Sequence, residues 1–158
     1  VAILTWLADT YPEAGLMPAT DSALEKLKQT ADFAFFAGTV HPVVTRIAMP
    51  MKFIPDAAQS FDIVRPAGTK DMNKIMTMID ARLADGPWWY GDTWSIVDGY
   101  LYWVWARITG VGFDGSDFPN VQRHFELSNE RPAVQRAMAR EDVNIEVLKS
   151  ENLYIAPR

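Results

Sequence analysis

Ser95 and Asp98 stand three residues apart in the run Thr93-Trp94-Ser95-Ile96-Val97-Asp98, and a hydroxyl close to a carboxylate invites a nucleophile reading. A serine nucleophile also needs a base, and neither His41 nor His124 has a spacing to this pair that implies a triad. The same spacing has a structural meaning: a serine can accept the amide hydrogen of the residue three positions on, while that residue's carboxylate accepts the serine amide hydrogen. We therefore read Ser95 and Asp98 as a structural N-cap. His41 adjoins Pro42, where a ring nitrogen can donate to a substrate or, equally, to a carbonyl that the proline frees, or simply face solvent. Arg46 can hold an anionic group or sit in a salt bridge. Two well-separated histidines and no cysteine make no metal site, and no glycine-rich loop follows a strand as nucleotide binding requires.

The composition narrows the classes further. At 158 residues the chain fits one ordinary domain, and 49% hydrophobic against 22% charged residues is the balance of a chain that folds. A net charge of −5, with the fifteen Lys and Arg scattered, argues against nucleic acid as a partner. Apolar runs stop well short of 18 residues, which argues against a membrane span. The absence of cysteine excludes disulfides and a cysteine nucleophile within these residues and is compatible with the cytoplasm. An opening at Val1 rather than Met suggests a truncated chain.

Positioning such residues requires helices. Ala2, Ile3, Trp6 and Leu7 recur with helical spacing until Pro12 stops the run, and Pro12 to Pro18 reads as a connection. Thr20 or Asp21 can cap a long helix to about residue 48, with Leu24, Leu27, Ala31, Ala34 and Phe35 on one face and a bend between Gly38 and Pro42. Pro50, Pro55 and Pro66 make residues 49–67 mainly connector. Thr69 can cap a helix carrying Met72, Ile75, Met76, Ile79 and Leu83, which ends at Asp85-Gly86-Pro87. The Ser95 cap opens a helix with Val97, Tyr100, Leu101, Val104, Trp105 and Ile108 on a broad face, widened by Ile96 and Trp103, and Gly110 and Gly112 end it. Pro119 and Pro132 start two further helices, with Val121 and Phe125, then Val134, Ala137 and Met138, inward. Beyond Glu141 the pattern weakens: Val143, Val147 and Leu148 dock a last turn or two, and residues 156–158 fray. No set of alternating strands is present, so the fold class is all-α.

The segment from Gly86 through Trp88-Trp89-Tyr90-Gly91-Asp92 to the Ser95–Asp98 cap resembles part of the glutathione transferase family. There a short apolar stretch and Gly-Asp precede a Ser/Thr-x-x-Asp cap. Phe118-Pro119-Asn120-Val121 and Arg131-Pro132-Ala133-Val134 are similar to the two motifs that follow it. Ala2 to Pro12 looks like the last helix of the family's thioredoxin-like domain, and Leu16-Met17-Pro18 like its linker. One departure stands out: the family usually has an apolar residue after the cap aspartate, completing a hydrophobic staple with the residue before the cap, whereas Gly99 follows Asp98 here. The staple is then lost or made by another contact, or the glycine instead makes room for a tryptophan ring.

This resemblance implies a glutathione-transferase C-terminal-like helical bundle over residues 19–158, with 1–18 as the end of the thioredoxin-like domain and the linker. It implies glutathione as the cosubstrate of the full protein, and a catalytic Ser, Tyr or Cys lying before residue 1, so that this fragment alone is inactive. What these residues can supply is the hydrophobic wall that holds a small electrophile for thiolate addition or displacement, as in detoxification. The implied substrate-binding candidates are Phe35, Phe36, His41 and Arg46 on the first long helix, with Tyr100 and Trp103 behind them. Phe35 and Phe36 cannot both face one way. The family's homodimer and the preceding thioredoxin-like domain are the implied partners, and a non-catalytic protein-interaction domain of the same fold is the alternative.

Overall fold

The computed structural model describes residues 1–54 and 56–154, so Pro55 and the fraying expected of residues 156–158 lie outside the described residues. The described residues form helices joined by short turns, without a strand among them. Helix α1 spans Ala2–Thr10, and a tight turn at Pro12–Ala14 leads into the linker. The linker is pinned to the bundle where the Ile96 amide donates to the Leu16 carbonyl at 2.8 Å.

Helix α2 (Ala23–Phe35) is capped by Ser22, whose hydroxyl accepts from the Glu25 amide, rather than by Thr20 or Asp21; the Thr20 hydroxyl instead accepts from the Ser22 amide just outside the helix. Its buried side differs from the apolar stripe expected. Phe33, Phe36 and Val40 point into the core, while Leu24 and Leu27 are 58% and 64% exposed and Ala31 and Ala34 also lie outside. Over the second half of the helix Phe33 and Phe36 decide the inward side against Ala31 and Ala34, because burying a phenylalanine removes far more apolar surface from water than burying an alanine.

The irregularity expected at Gly38–Pro42 is a π-helical turn, Phe36–Val40, that runs straight on into α3 (His41–Ala48). The His41 amide donates to the Phe36 carbonyl five residues back. The arrangement recurs: Ala57–Gln59 (α4) passes through a second π-helical turn, Ser60–Val64, into α5 (Arg65–Arg82), and the Arg65 amide donates to the Ser60 carbonyl. Each π-helical turn ends just before a proline, Pro42 or Pro66. A proline has no amide hydrogen and its ring crowds the carbonyl four residues back; widening the preceding turn shifts the bonding and lets the helix pass through. Residues 57–67 are therefore helical rather than connector, and Thr69 lies inside α5 rather than capping it.

Helix α5 buries Met72, Ile75, Met76 and Ile79, and its most extensive packing is against α3. Gly68 permits that approach, since a Cβ there would stand 2.9 Å from the Arg46 Cβ and 3.2 Å from Ile47 Cγ1. The chain then turns tightly at Trp88–Gly91, where the two residues exchange backbone hydrogen bonds at 3.0 Å and Gly91 takes φ +69°. Helix α6 (Ile96–Thr109) follows and is the hub, with Val97, Leu101, Val104 and Ile108 fully buried among α3, α7 and the first π-helical turn. Helix α7 (Pro119–Asn129) has its first amides satisfied from another element, because the Asp80 carboxylate of α5 accepts from the Asn120 amide at 2.7 Å and the Val121 amide at 3.0 Å.

Helix α8 (Pro132–Ser150) is longer than the weakening sequence pattern suggested and buries no residue. Val134 and Met138 are only half-buried and Ala137 is exposed. Val143, Val147 and Leu148 are also exposed rather than docked. On its solvent side the helix carries an i,i+3 ion pair, Lys149 with Glu146.

Candidate functional site

At the head of α6 the capping box closes as its residue types dictate, but the carboxylate does more than cap. Asp98 is fully buried; its Oδ2 accepts from the Ser95 amide (2.7 Å) and hydroxyl (2.9 Å), and its Oδ1 accepts from the Trp89 amide (2.7 Å) and from His124 Nε2 (3.0 Å). His124, one per cent exposed on α7, is the partner that sequence spacing missed, because a contact across 26 residues leaves no local signal. The three side chains do not form a nucleophilic triad. The serine hydroxyl binds the aspartate rather than the histidine, and all three are closed off from solvent.

The π-helical turn, α3 and α6 bring three of the six pocket candidates together. His41 Nδ1 and the Tyr100 hydroxyl share a hydrogen bond of 2.8 Å, and the imidazole stacks on Trp103 with centroids 4.6 Å apart and planes inclined by 27°. Burial pushes the Tyr100 phenol above the usual tyrosine range. His41, Tyr100 and Trp103 line a shallow, open cavity of about 390 Å³, which Val1, Leu4, Ile96 and Gly99 also line. His41 thus bonds a tyrosine rather than a carbonyl freed by Pro42; its own carbonyl accepts from the Thr45 hydroxyl at 3.2 Å.

The other three candidates lie elsewhere. Phe36 is fully buried beneath Tyr100, with ring centroids 5.4 Å apart. Phe35 is half-buried and stacks with Trp89 at 6.3 Å. Arg46 faces α5, where its Nη1 lies 3.3 Å from Asp71 Oδ2. The sequence reading missed Leu4, Ile96 and Gly99 as lining residues, although the unusual glycine after the cap was itself a signal. A Cβ on Gly99 would meet Trp94 at an ordinary 3.8 Å, so the ring leaves room for at least an alanine there. Trp94 packs instead under the Arg131 guanidinium, 4.1 Å from its ring centroid, which takes the place of the missing staple contact.

A second polar cluster joins α2 to the end of α5. The Tyr90 hydroxyl donates to Asp32 Oδ2 at 2.7 Å, Arg82 lies 3.9 Å from the same carboxylate, and the Arg82 guanidinium covers Trp89. Among the described residues no group of three or more His, Cys, Asp and Glu is placed to hold a metal ion, and no helix is long and apolar enough to cross a membrane.

The all-helical bundle organised on a buried Ser-x-x-Asp cap has the fold of a glutathione-transferase C-terminal helical domain. Residues 62–127 match the family model described as glutathione S-transferase, C-terminal domain. Glutathione S-transferase GstA of Escherichia coli O157:H7 is 26% identical over 143 residues, covering 89% of this chain and 66% of the relative. A glutathione transferase structure from Methylococcus capsulatus is 30% identical, with a TM-score of 0.71, over 90% of this chain and 66% of that one. A sphingomonad glutathione S-transferase solved with glutathione is 26% identical, with a TM-score of 0.76, over 89% of this chain and 66% of that one. The chain is similar to glutathione transferases over most of its length, and it spans 66% of the length of these relatives.

Proposed function

We propose that the chain provides the electrophile-binding wall of a glutathione transferase. Glutathione and the Ser, Tyr or Cys that ionises it are contributed by a thioredoxin-like domain preceding residue 1. Residues 1–18 are then that domain's last helix and linker, and residues 19–158 the helical domain. The observation that carries this reading is the cavity of His41, Tyr100 and Trp103, set against α1 in a chain whose relatives are glutathione transferases. Thiolate attack on an electrophile needs an apolar site that holds the acceptor against the sulfur.

Two surfaces support the wider assembly. Ile3 (73% exposed) and Trp6 (58%) present an apolar side of α1 suited to packing against a further domain, and the exposed Leu24 and Leu27 on α2 suit a homodimer contact. We place the activity in the cytoplasm, in the detoxification of small hydrophobic electrophiles. The test is a conjugation assay with glutathione and 1-chloro-2,4-dinitrobenzene on this chain alone and on the polypeptide that joins it to its thioredoxin-like domain. The chain alone should be inactive and the two-domain protein active. Conjugation by the chain alone overturns the division of labour, and an inactive two-domain protein overturns the enzymatic reading in favour of an interaction domain.

A further inference from the structure

Trp94 stands behind the cavity wall at its barest point. Its backbone has little freedom, because the Ser95 amide that follows donates to Asp98 Oδ2 at 2.7 Å and the Ile96 amide donates to the Leu16 carbonyl at 2.8 Å. The half-buried indole therefore moves only about its own side-chain torsions. Its Cζ2 edge lies 3.8 Å from the point a Cβ on Gly99 would occupy. The glycine's chain neighbours and own helix backbone aside, nothing else comes within 4 Å of that point. Gly99 lines the cavity beside Ile96, Tyr100 and Trp103, so a residue without a side chain is what parts the indole from the space next to Trp103.

The indole is held on the outer side of that gap by Arg131. The guanidinium lies 4.1 Å from the Trp94 ring centroid and 5.7 Å from that of Trp88. Among the described residues no carboxylate pairs with this cation, and its Nε is buried without a hydrogen-bond partner. A cation over an indole attracts the ring, while a buried donor left unpaired weakens the seat, so the contact is a latch that little else secures. Arg131 is also the N-cap of α8, a helix that buries no residue, and makes no side-chain cap there. Whatever displaces the start of α8 therefore carries the latch with it.

We propose that Arg131 and Trp94 form a gate on the cavity. With the guanidinium over the indole, the ring lies outside Gly99 and the cavity is open. When the start of α8 lifts and takes Arg131 away, the ring swings across Gly99 into the space beside Trp103 and occupies the place of a ligand. Arg131 is thus a positioning residue that touches no ligand and acts through Trp94, and Gly99 supplies the passage. The same arrangement accounts for two departures at once: the glycine where an apolar side chain would complete a staple, and the cation seated on indoles instead of on a carboxylate. The inference rests on the electrophile-site reading above and concerns its regulation. The position of α8 sets the fraction of molecules able to bind, and the apparent affinity falls in proportion to that fraction.

Fluorine NMR of the chain labelled with 5-fluorotryptophan tests the gate, with the two resonances that matter assigned through Trp94→Phe and Trp103→Phe. In Arg131→Met, which keeps the length of the side chain and removes its charge, the Trp94 and Trp103 resonances should both move in the absence of any ligand. The Trp103 displacement should vanish in Arg131→Met/Trp94→Ala, which has no ring to enter the cavity. A titration with 2-naphthol, followed at the Trp103 resonance, reads binding in the same samples. Arg131→Met should bind about three- to tenfold more weakly than wild type, the range expected of one lost cation–indole contact. The double variant should match Trp94→Ala alone within twofold. A Trp103 resonance indifferent to Arg131→Met overturns the gate, as does a loss of affinity that persists when Trp94 is also removed, since that loss would come from α8 and not from the ring. If 2-naphthol leaves the wild-type Trp103 resonance unmoved, the electrophile-site reading fails instead, whatever the ligand-free spectra say of the ring.

Discussion

Replacing Asp98 with alanine would strand four donors at once: the Trp89 and Ser95 amides, the Ser95 hydroxyl and His124 Nε2. Losing one partner of a buried charged network costs on the order of 3–5 kcal/mol, well above the roughly 1 kcal/mol of a solvent-exposed cap. Urea unfolding should therefore show a loss of that size for Asp98→Ala and a smaller one for Asp98→Asn. An alanine variant within 1 kcal/mol of wild type would remove Asp98 from its central place. At Tyr90, burial first and the Asp32 carboxylate that accepts its proton second push the phenol above the usual tyrosine range. The folded chain keeps this proton where the unfolded chain, with a phenol pKa of about 10, loses it. The stability linked to that difference is intact below about pH 10 and declines as pH rises beyond it. Tyr90→Phe should flatten that alkaline decline in stability measured from pH 9 to 12, and an unchanged slope would contradict the assignment. Residues whose partners are local were legible in the sequence, as with Ser95 and Asp98. His124, Asp80 and Arg46 were not, since each owes its role to a partner brought near only by the bundle.

Helix identity followed from apolar spacing wherever large side chains dominate one face, as in α5 and α6. It misled where composition and size disagreed: the stripe of Leu24, Leu27, Ala31 and Ala34 has helical spacing, yet Phe33 and Phe36 decide which side of α2 turns inward. The prolines misled in another way. Pro42 and Pro66 read as interruptions because an α-helical hydrogen-bond pattern cannot include them, but a single widened turn before each keeps the chain helical. The wider turn before Pro42 places His41 opposite Tyr100 and Trp103, so this irregularity helps to shape the cavity. Gly38 lies within it but is not required there: its φ is outside the left-handed region and a Cβ would meet nothing within 4 Å. Gly38→Ala should raise stability by about 0.5–1 kcal/mol in denaturant unfolding without changing ligand binding. A loss of stability would mean that the widened turn depends on glycine.

At the scale of the whole molecule, the core gathers on α6, while α1, the outer side of α2 and the far end of α8 keep apolar side chains in solvent. The all-helical class was legible because no segment alternates like a strand, and the resemblance to glutathione transferases because the local motifs keep their order along the chain. The position of the cavity was not, since Leu4, His41 and Gly99 meet there only when α1, α3 and α6 pack. The Asp98 carboxylate receives hydrogen bonds from the turn before α6, from its own cap and from α7, so the span from Trp89 to His124 is tied at its two ends to one point. Such a span opens as a unit, and an amide held inside it meets solvent only when the whole unit comes apart. In deuterated buffer the Trp89 and Ser95 amides should be among the last to lose their protons, long after those of Val143 and Val147 on the unburied α8. NMR-resolved exchange would then record a molecule that frays from its last helix and surrenders the region around Asp98 only with the global transition.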